Sequence, residues 1–208
     1  MPLPDSNPEY LLIFARYPTP GQVKTRLMPR LGAEGAAQLY RQMAEQTLQQ
    51  ALRLASQRSL GIEVWYTGGE ADAMAAWLGP EVDYHRQPEG DLGQRLKAAF
   101  ARAFAQGPGA VVAIGTDCPD LDAALLAEAF EQLRRHPLVL GPARDGGYYL
   151  IGLVEPQPQL FEGIPWSSAA VLATTVERAH QLGLVPTYLP QLSDIDQPED
   201  LDRWQSQG

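Results

Sequence analysis

Short apolar runs alternate with amphipathic helical patterns along the chain, and this alternation limits the fold more than any other feature of the sequence. The clearest run is AVVAIG at 110–115, and Tyr10 to Ala15 is a second run of the same kind. Nearly continuous apolar runs of this length are typical of strands buried on both faces of a parallel sheet. The alternation therefore predicts an α/β fold with a mostly parallel central sheet and helices on both faces.

The remaining elements follow from the same patterns. Further strands are predicted at 61–67, 81–87, 138–143 and 148–153. Helices are predicted where apolar residues recur at helical spacing, at 36–55, 70–78, 92–103, 125–133 and 167–182. No repeat, low-complexity run or linker interrupts this order, so we expect a single domain over residues 1–208.

The composition excludes several classes of protein. The 208 residues carry a formal net charge of −9, which disfavours nonspecific binding to nucleic acid or to an anionic membrane. The single cysteine excludes an internal disulfide, and the N-terminus lacks the pattern of a secretory signal. No apolar run approaches the roughly 20 residues that span a bilayer. We expect a cytoplasmic protein without a nucleic-acid or membrane partner.

The loop after the first strand is basic in this acidic chain and reads FARYPTPGQVKTRL at 14–27. Open α/β sheets bind ligands at the carboxyl ends of their strands. Gly21 allows close approach of the backbone, Lys24 adds a charge, and Arg26 adds a fork that can hold a phosphate through two hydrogen bonds. The spacing fits neither a P-loop nor a dinucleotide fingerprint. The loop predicts another kind of polyphosphate site, with a solvated basic turn as the alternative.

Two later loops contain aspartates. GTDCPDL at 115–121 follows the strongest strand, and Asp117 is placed there to bind a hard divalent cation that also holds phosphates. Helix capping is the alternative for this residue. In SDIDQPEDL at 193–201, an extended backbone would direct Asp194 and Asp196 to the same side.

Five motifs in order resemble one known family: FARYPTPGQVKTRL, GDLGQRL, GTDCPDL, GPARDGGYYLIGL and DIDQPEDL. They resemble the DUF2064 family, also called radical-SAM/selenodomain-associated transferase 1, of the nucleotide-diphospho-sugar transferase (GT-A-like) superfamily. MobA-like nucleotidyltransferases and 2-phospho-lactate guanylyltransferase are its relatives. The resemblance covers nearly the whole chain. It implies a Rossmann-like α/β/α sandwich that binds a nucleotide over the first loop.

The resemblance also implies a set of site residues. The nucleotide loop falls on Gly21, Lys24 and Arg26, and Mg²⁺ or Mn²⁺ is expected between Asp117 and Asp196. We expect these two carboxylates within about 6 Å of each other, close enough to share one ion. The chain departs from the superfamily in its first loop, where nucleotidyltransferases usually carry GGxSxRxG. The identity of the base is therefore not implied.

Other residues have both a functional and a structural interpretation. Gly93 and Arg95 are further candidates for nucleotide binding, although a solvated arginine explains Arg95 equally well. A candidate acceptor pocket comprises Asp145, Gly146, Gly147 and Trp166. A tight turn and core packing explain the same residues without a ligand. The three histidines show no ligand spacing, and Cys118 has no neighbouring base in sequence that favours a nucleophilic role.

These observations predict a divalent-metal-dependent transferase that uses a nucleoside triphosphate or nucleotide sugar and a small-molecule acceptor. Lys24, Arg26 and Asp117 are the candidate catalytic residues. Nucleotidyl transfer is favoured by a D-x-P loop where metal-dependent glycosyltransferases commonly have D-x-D, whereas the resemblance favours glycosyl transfer. Both stay open. A non-catalytic nucleotide-binding or regulatory module is the alternative from another class.

Overall fold

The computed structural model describes residues 8–202, and its strands form one seven-stranded sheet. The predicted domain also includes residues 1–7 and 203–208, which lie outside this range. The strands are β1 (Glu9–Arg16), β2 (Leu60–Thr67), β3 (Asp83–Arg86), β4 (Ala110–Ile114), β5 (Leu138–Pro142), β6 (Tyr148–Leu153) and β7 (Pro186–Tyr188).

The sheet is mostly parallel, as the alternation of elements predicts. Its order is β3-β2-β1-β4-β6-β5-β7. Strand β1 pairs in parallel with β2 and β4, so the carboxyl ends of these three strands meet at one edge. Strand β6 runs antiparallel to both of its neighbours, β4 and β5. This reversal makes β5 and β6 a hairpin whose turn lies at the edge where β4 ends.

Helices cover both faces of the sheet and confirm the α/β/α arrangement. They are α1 (Met28–Ala55), α2 (Ala71–Leu78), α3 (Leu92–Phe104), α4 (Ala123–Leu133) and α5 (Val171–Gln181). Buried side chains of α1, α2 and α4 pack on one face, around Val64, Val112 and Phe130. Those of α3 and α5 pack on the other face, around Leu12 and Phe100.

Three elements differ from the sequence-based prediction. Helix α1 begins at Met28 rather than at residue 36, and it is interrupted at Gly32, whose φ of 70° and ψ of 173° are not helical. Helix α5 begins at Val171 rather than at Ser167, because Ser167 has a left-handed backbone with φ of 64° that a helix cannot include. Strand β7 was not predicted from its residues. Its three residues begin with a proline at the edge of the sheet, which is too short a stretch to show an alternating pattern.

The segment after β7 returns across the sheet and packs beside the loop that follows β4. The amide of Ile195 donates a hydrogen bond of 2.9 Å to the carbonyl of Asp117. Its side chain is 2% exposed and packs with Val23, Leu27 and Tyr40. This buried isoleucine therefore fixes the position of the late segment against the first loop.

The longest helix, α1, has polar residues along much of its length. Among residues 8–202, no helix combines the length and the apolar character needed to cross a lipid bilayer.

Replacing Ile195 with alanine tests this anchor. We expect Ile195→Ala to lower the free energy of unfolding by about 2–5 kcal/mol, because it leaves a cavity in a packed cluster. Urea denaturation followed by circular dichroism measures the change. The control Val185→Ala alters a side chain that is 70% exposed and should shift stability by no more than about 0.5 kcal/mol. Equal effects of the two substitutions would contradict the anchoring role.

Candidate functional site

Two adjoining clefts open at the carboxyl edge of β1 and β4. The loop cleft, of about 540 Å³, lies between the first loop and the end of β1, and Lys24 and Asp196 are in its lining. The hairpin cleft, of about 530 Å³, lies between the β5–β6 turn and residues 166–169. Arg26 and Asp117 line both clefts, so these two side chains mark the boundary between them.

Lys24 occupies the centre of this region. Its side chain is 4% exposed, and its ammonium nitrogen Nζ lies 2.8 Å from Asp117 Oδ1 and 3.5 Å from Asp196 Oδ1. Burial alone would lower the pKa of Lys24, but the charges of Asp117, Asp196 and Asp194 outweigh it and raise the pKa overall. The lysine is therefore a permanent cation that holds two carboxylates together.

The backbone of Lys24 is unusual as well. Its φ of 47° and ψ of 43° lie in the left-handed region, which costs a residue with a side chain on the order of 1–3 kcal/mol. The next three residues form a short 3-10 helix, Thr25–Leu27, whose Leu27 is fully buried. The ion pairs and this packing hold Lys24 in the strained conformation. In this conformation its ammonium contacts the two aspartates.

Arg26 completes a group of four charges. Its guanidinium nitrogen Nη1 contacts Oδ2 of Asp196, and its side chain is 66% exposed. Asp196 thus contacts Lys24 through one oxygen and Arg26 through the other. The structure brings together four of the charged residues that the sequence singles out, Lys24, Arg26, Asp117 and Asp196.

Tyr40 supports this arrangement from beneath. Its hydroxyl accepts a hydrogen bond of 2.8 Å from the amide of Arg16, at the end of β1. It also bonds, at 3.1 Å, with the hydroxyl of Thr116, the residue before Asp117. Burial, followed by the charge of Asp117, raises the pKa of Tyr40 to about 12. Tyr40 therefore ties the ends of β1 and β4 together beneath the charged group.

The charged group has the donor chemistry for a shared metal ion. Asp117 Oδ1 is buried and, apart from the Lys24 ammonium, has no hydrogen-bond donor among residues 8–202. Within that same range, no set of three His, Cys, Asp or Glu side chains is arranged to hold a metal. Two carboxylates are too few ligands for a metal ion that is bound by protein alone. They fit a divalent ion whose other ligands are phosphate and water.

The hairpin cleft is shaped by a turn and a strained loop. Asp145 Oδ1 accepts a hydrogen bond of 2.8 Å from the amide of Gly147, which closes the turn between β5 and β6. Gly146 has a φ of 93°, and a Cβ there would lie 2.2 Å from the carbonyl oxygen of Ala169. The amide of Leu172 donates to the carbonyl of Gly146 at 2.9 Å. This turn therefore packs directly on the segment that leads into α5.

Trp166 lies in the wall of the same cleft. Its ring meets that of Tyr148 edge to face, with centroids 6.5 Å apart. A Cβ at Gly93 would lie 2.8 Å from Trp166 Nε1 and 2.7 Å from the carbonyl oxygen of Phe161. Gly93 is thus needed for close packing under the tryptophan, and its expected contact with a nucleotide stays a prediction.

The remaining candidates lie at the margins of the loop cleft. Gly21, with φ of 79°, forms the turn immediately before the residues that line this cleft. Arg95 donates a hydrogen bond of 3.3 Å to Gln87, whose side chain lines the cleft. Arg95 is thereby one residue removed from the cleft surface. The nucleotide-binding roles of Gly21 and Arg95 also stay predictions.

Sequence reasoning did not assign a role to two residues of the site. Tyr40 belongs to the apolar stripe of α1 and carries no signal in the sequence that separates it from core residues. Asp194 lines the hairpin cleft while Asp196 lines the loop cleft. Burial, and then the charges of Asp145 and Asp117, raise the pKa of Asp194. In the sequence, the pattern Asp-Ile-Asp at 194–196 could have identified Asp194 as a second candidate beside Asp196.

Cys118 follows Asp117 and, like it, is in the lining of the hairpin cleft. It is buried, and this burial raises the pKa of its thiol. The nearby charge of Asp117 acts in the same direction. A thiolate nucleophile is disfavoured under these conditions.

The comparisons with known proteins agree on one family and one fold. A family model described as "uncharacterized protein conserved in bacteria (DUF2064)" matches residues 43–168. A crystal structure from Desulfovibrio desulfuricans G20, provisionally named a nucleotide-diphospho-sugar transferase, is 38% identical. The match covers 91% of this chain and 82% of that chain, with a TM-score of 0.85. Comparison with curated proteins gives no match.

Two other solved structures are similar at lower identity. CMP:2-keto-3-deoxy-manno-octonic acid synthetase complexed with CTP is 12% identical over 96% of this chain and 98% of that chain, with a TM-score of 0.61. Glucosyl-3-phosphoglycerate synthase from Mycobacterium tuberculosis, in complex with Mn²⁺, UDP and glucosyl-3-phosphoglycerate, is 13% identical over 97% and 76%, with a TM-score of 0.59. This likeness concerns the fold, and it confirms the predicted nucleotide-diphospho-sugar transferase type.

The hydroxyl of Tyr40 provides a test through pH. Because the pKa of Tyr40 is raised to about 12 from 10.0, its contribution to stability is complete below pH 10 and is lost as the pH rises toward 12. Tyr40→Phe removes this group, so the loss of stability between pH 8 and pH 11 should be smaller by about 1.4 kcal/mol. Urea denaturation at the two pH values measures it. The same pH dependence in both proteins would contradict the buried position of the hydroxyl.

Proposed function

Because this chain belongs to the DUF2064 family and shares the fold of nucleotide-diphospho-sugar transferases, we propose that it is a metal-dependent transferase. A nucleoside triphosphate or nucleotide sugar occupies the loop cleft, and a small acceptor occupies the hairpin cleft. One observation carries this proposal. Arg26 and Asp117 line both clefts and lie beside Lys24, so a group that passes between the clefts crosses charged side chains.

The charges of the site explain why a metal ion is part of the proposal. Lys24 and Arg26 are paired with Asp117 and Asp196, so the four side chains together carry no net charge. Arg16 also lines the loop cleft, so the charged lining there has a surplus of one positive charge, whereas a polyphosphate brings several negative charges. A divalent cation supplies the missing charge. This balance supports joint binding of the nucleotide and the ion.

Asp117 and Asp196 are the residues that would hold Mg²⁺ or Mn²⁺. The bound ion would offset charge on the phosphates and on the leaving group. Support comes from glucosyl-3-phosphoglycerate synthase, whose structure holds Mn²⁺ together with UDP in the same fold. Lys24 keeps the two carboxylates together, and Tyr40 holds the loops that carry Lys24 and Asp117.

Arg26 is the side chain best placed to bind the phosphates. Its guanidinium is exposed and lies in both clefts, and a fork of this shape can bind a phosphate through two hydrogen bonds. Lys24 is a weaker probe of phosphate binding. Its removal leaves two carboxylates without their shared counter-charge, which lowers the stability of the fold.

The site is compatible with two reactions that differ in the bond broken. Nucleotidyl transfer attacks the α-phosphorus and releases pyrophosphate, whereas glycosyl transfer attacks the anomeric carbon and releases a nucleoside diphosphate. Incubation with nucleoside triphosphates and nucleotide sugars, followed by chromatography of the products, distinguishes the two. Binding of nucleotide without either product, over a broad panel of donors and acceptors, would favour the non-catalytic module instead.

Substitution of Arg26 tests phosphate binding in the loop cleft. We expect Arg26→Ala to weaken nucleotide binding by about 1.5–3 kcal/mol, or roughly 10- to 150-fold in Kd, because a hydrogen bond to a charged group is lost. Calorimetric titration measures the affinity. The control Arg30→Ala removes a half-exposed arginine that bonds with the carbonyl of Pro198 and lines neither cleft. Its affinity should stay near the wild-type value, and equal losses in both variants would refute the role of Arg26.

Asp117→Asn tests the dependence on metal. A ligand that binds only the folded state at 100 times its Kd raises stability by about 2.7 kcal/mol. We expect Mg²⁺ or Mn²⁺ to increase the thermal shift that nucleotides produce in the wild type but not in Asp117→Asn. The control Asp122→Asn replaces the cap of α4, where asparagine caps equally well. A metal-dependent shift that persists in Asp117→Asn would exclude this residue as a ligand.

A further inference from the structure

The hairpin cleft is strongly acidic on its own. Its charged lining consists of Arg26 and three carboxylates, those of Asp117, Asp145 and Asp194. Arg26 is bound by Asp196, which lies in the neighbouring cleft. Among residues 8–202, neither Asp145 nor Asp194 forms an ion pair. The cleft therefore holds an excess of negative charge, with three carboxylates against the one positive charge of Arg26 in its lining.

The neutral part of the lining includes three aromatic residues, Trp166, Tyr148 and Tyr149. Tyr149 is almost fully buried, and its hydroxyl donates a hydrogen bond to the carbonyl of Pro190. The ring of Trp166 is half-buried and is fixed by Tyr148 and by the close approach that Gly93 permits. An apolar rigid face next to hydrogen-bond acceptors suits a ligand that has C–H faces and several hydroxyl donors. The volume of about 530 Å³ is within the range of small-molecule sites.

We propose that the hairpin cleft selects an acceptor of the sugar or polyol class that carries hydroxyl or ammonium groups and no phosphate or carboxylate. Asp145 and Asp194 accept hydrogen bonds from its hydroxyls, and the aromatic wall packs against its carbon skeleton. A phosphate in the same place would lie beside Asp145 and Asp194, two carboxylates without an ion pair, and like charges at this range are costly in a partly buried site. The inference rests on the proposed function, because it treats this cleft as the acceptor side.

The donor and the metal do not reverse this preference. The two positive charges of the ion are taken up by the phosphates of the donor and by Asp117 and Asp196. Asp145 and Asp194 line the hairpin cleft and form no ion pair in the part of the chain that is described. The charge of Lys24 acts on Asp194, but that lysine is already paired with Asp117 and Asp196. They therefore continue to oppose an anionic acceptor when the donor is bound.

Binding of three matched probes tests the proposal without a donor. Glucosamine, methyl glucoside and glucose 6-phosphate share one ring and differ in charge, and titrations by saturation-transfer NMR give their dissociation constants. We expect glucose 6-phosphate to bind at least about tenfold more weakly than methyl glucoside, and glucosamine to bind at least as well. Ala169→Phe, which fills the cleft, should abolish the binding of methyl glucoside and so locate it.

Two substitutions that each remove a negative charge provide the control for selectivity. Asp145→Asn with Asp194→Asn keeps the shapes of both side chains, and the asparagine oxygen can still accept the amide of Gly147. We expect the preference over glucose 6-phosphate to fall to about threefold or less in this variant. Asp72→Asn removes an exposed acid on α2 and should leave the preference unchanged.

The outcomes separate this inference from the proposed function. Glucose 6-phosphate that binds as well as methyl glucoside in the wild type would overturn it. So would the absence of binding by both uncharged and amine-bearing probes, or an unchanged preference in the double variant. The nucleotide titrations of Arg26→Ala measure binding of the donor, which the proposed function assigns to the loop cleft. Their failure would refute the proposed function while the sugar preference of the hairpin cleft was still measured independently.

Discussion

The contact of one buried ammonium with two carboxylates determines how the site is assembled. Lys24 comes from the loop after β1, Asp117 from the loop after β4, and Asp196 from the segment that follows β7. A buried charge is tolerated only when it is paired, so the three segments must meet for any one of them to be stable in this position. The ion pairs of this arrangement offset the cost of the left-handed backbone of Lys24.

Much of this structure could be predicted from sequence because the signals are local. The apolar run at β4 identifies a buried strand, and its end places Asp117 at the ligand-binding edge of the sheet. Lys24 and Arg26 stand out as cations in a loop that follows a strand. The position of Asp196 beside this group does not follow from a local sequence pattern. It depends on a hydrogen bond between Ile195 and Asp117, residues far apart in the chain, and only the family resemblance indicated it.

For related physical reasons, other features of the structure could not be predicted from the sequence. Tyr40 lies in a helical stripe where its ring is as well suited to the core as its neighbours, and only the hydroxyl serves the site. The late start of α5 depends on the backbone of Ser167, and that backbone accompanies the packing of the preceding loop against the β5–β6 turn. Gly93 has no side chain and so makes room for Trp166, a contact that only the structure shows. In each case a tertiary contact gives the residue its role.

The reversed strand β6 has a consequence for how proteins of this architecture can diversify. The parallel strands β1, β2 and β4 are joined by long helical crossovers, so a change in one connection affects the register of the sheet. The outer wall of the hairpin cleft is instead the turn between β5 and β6. Insertions there would need to rebuild the contact of Gly146 with residues 169–172 and the bridge between Ala143 and Leu192. The lining of the hairpin cleft can thus change while the paired strands behind the loop cleft stay the same.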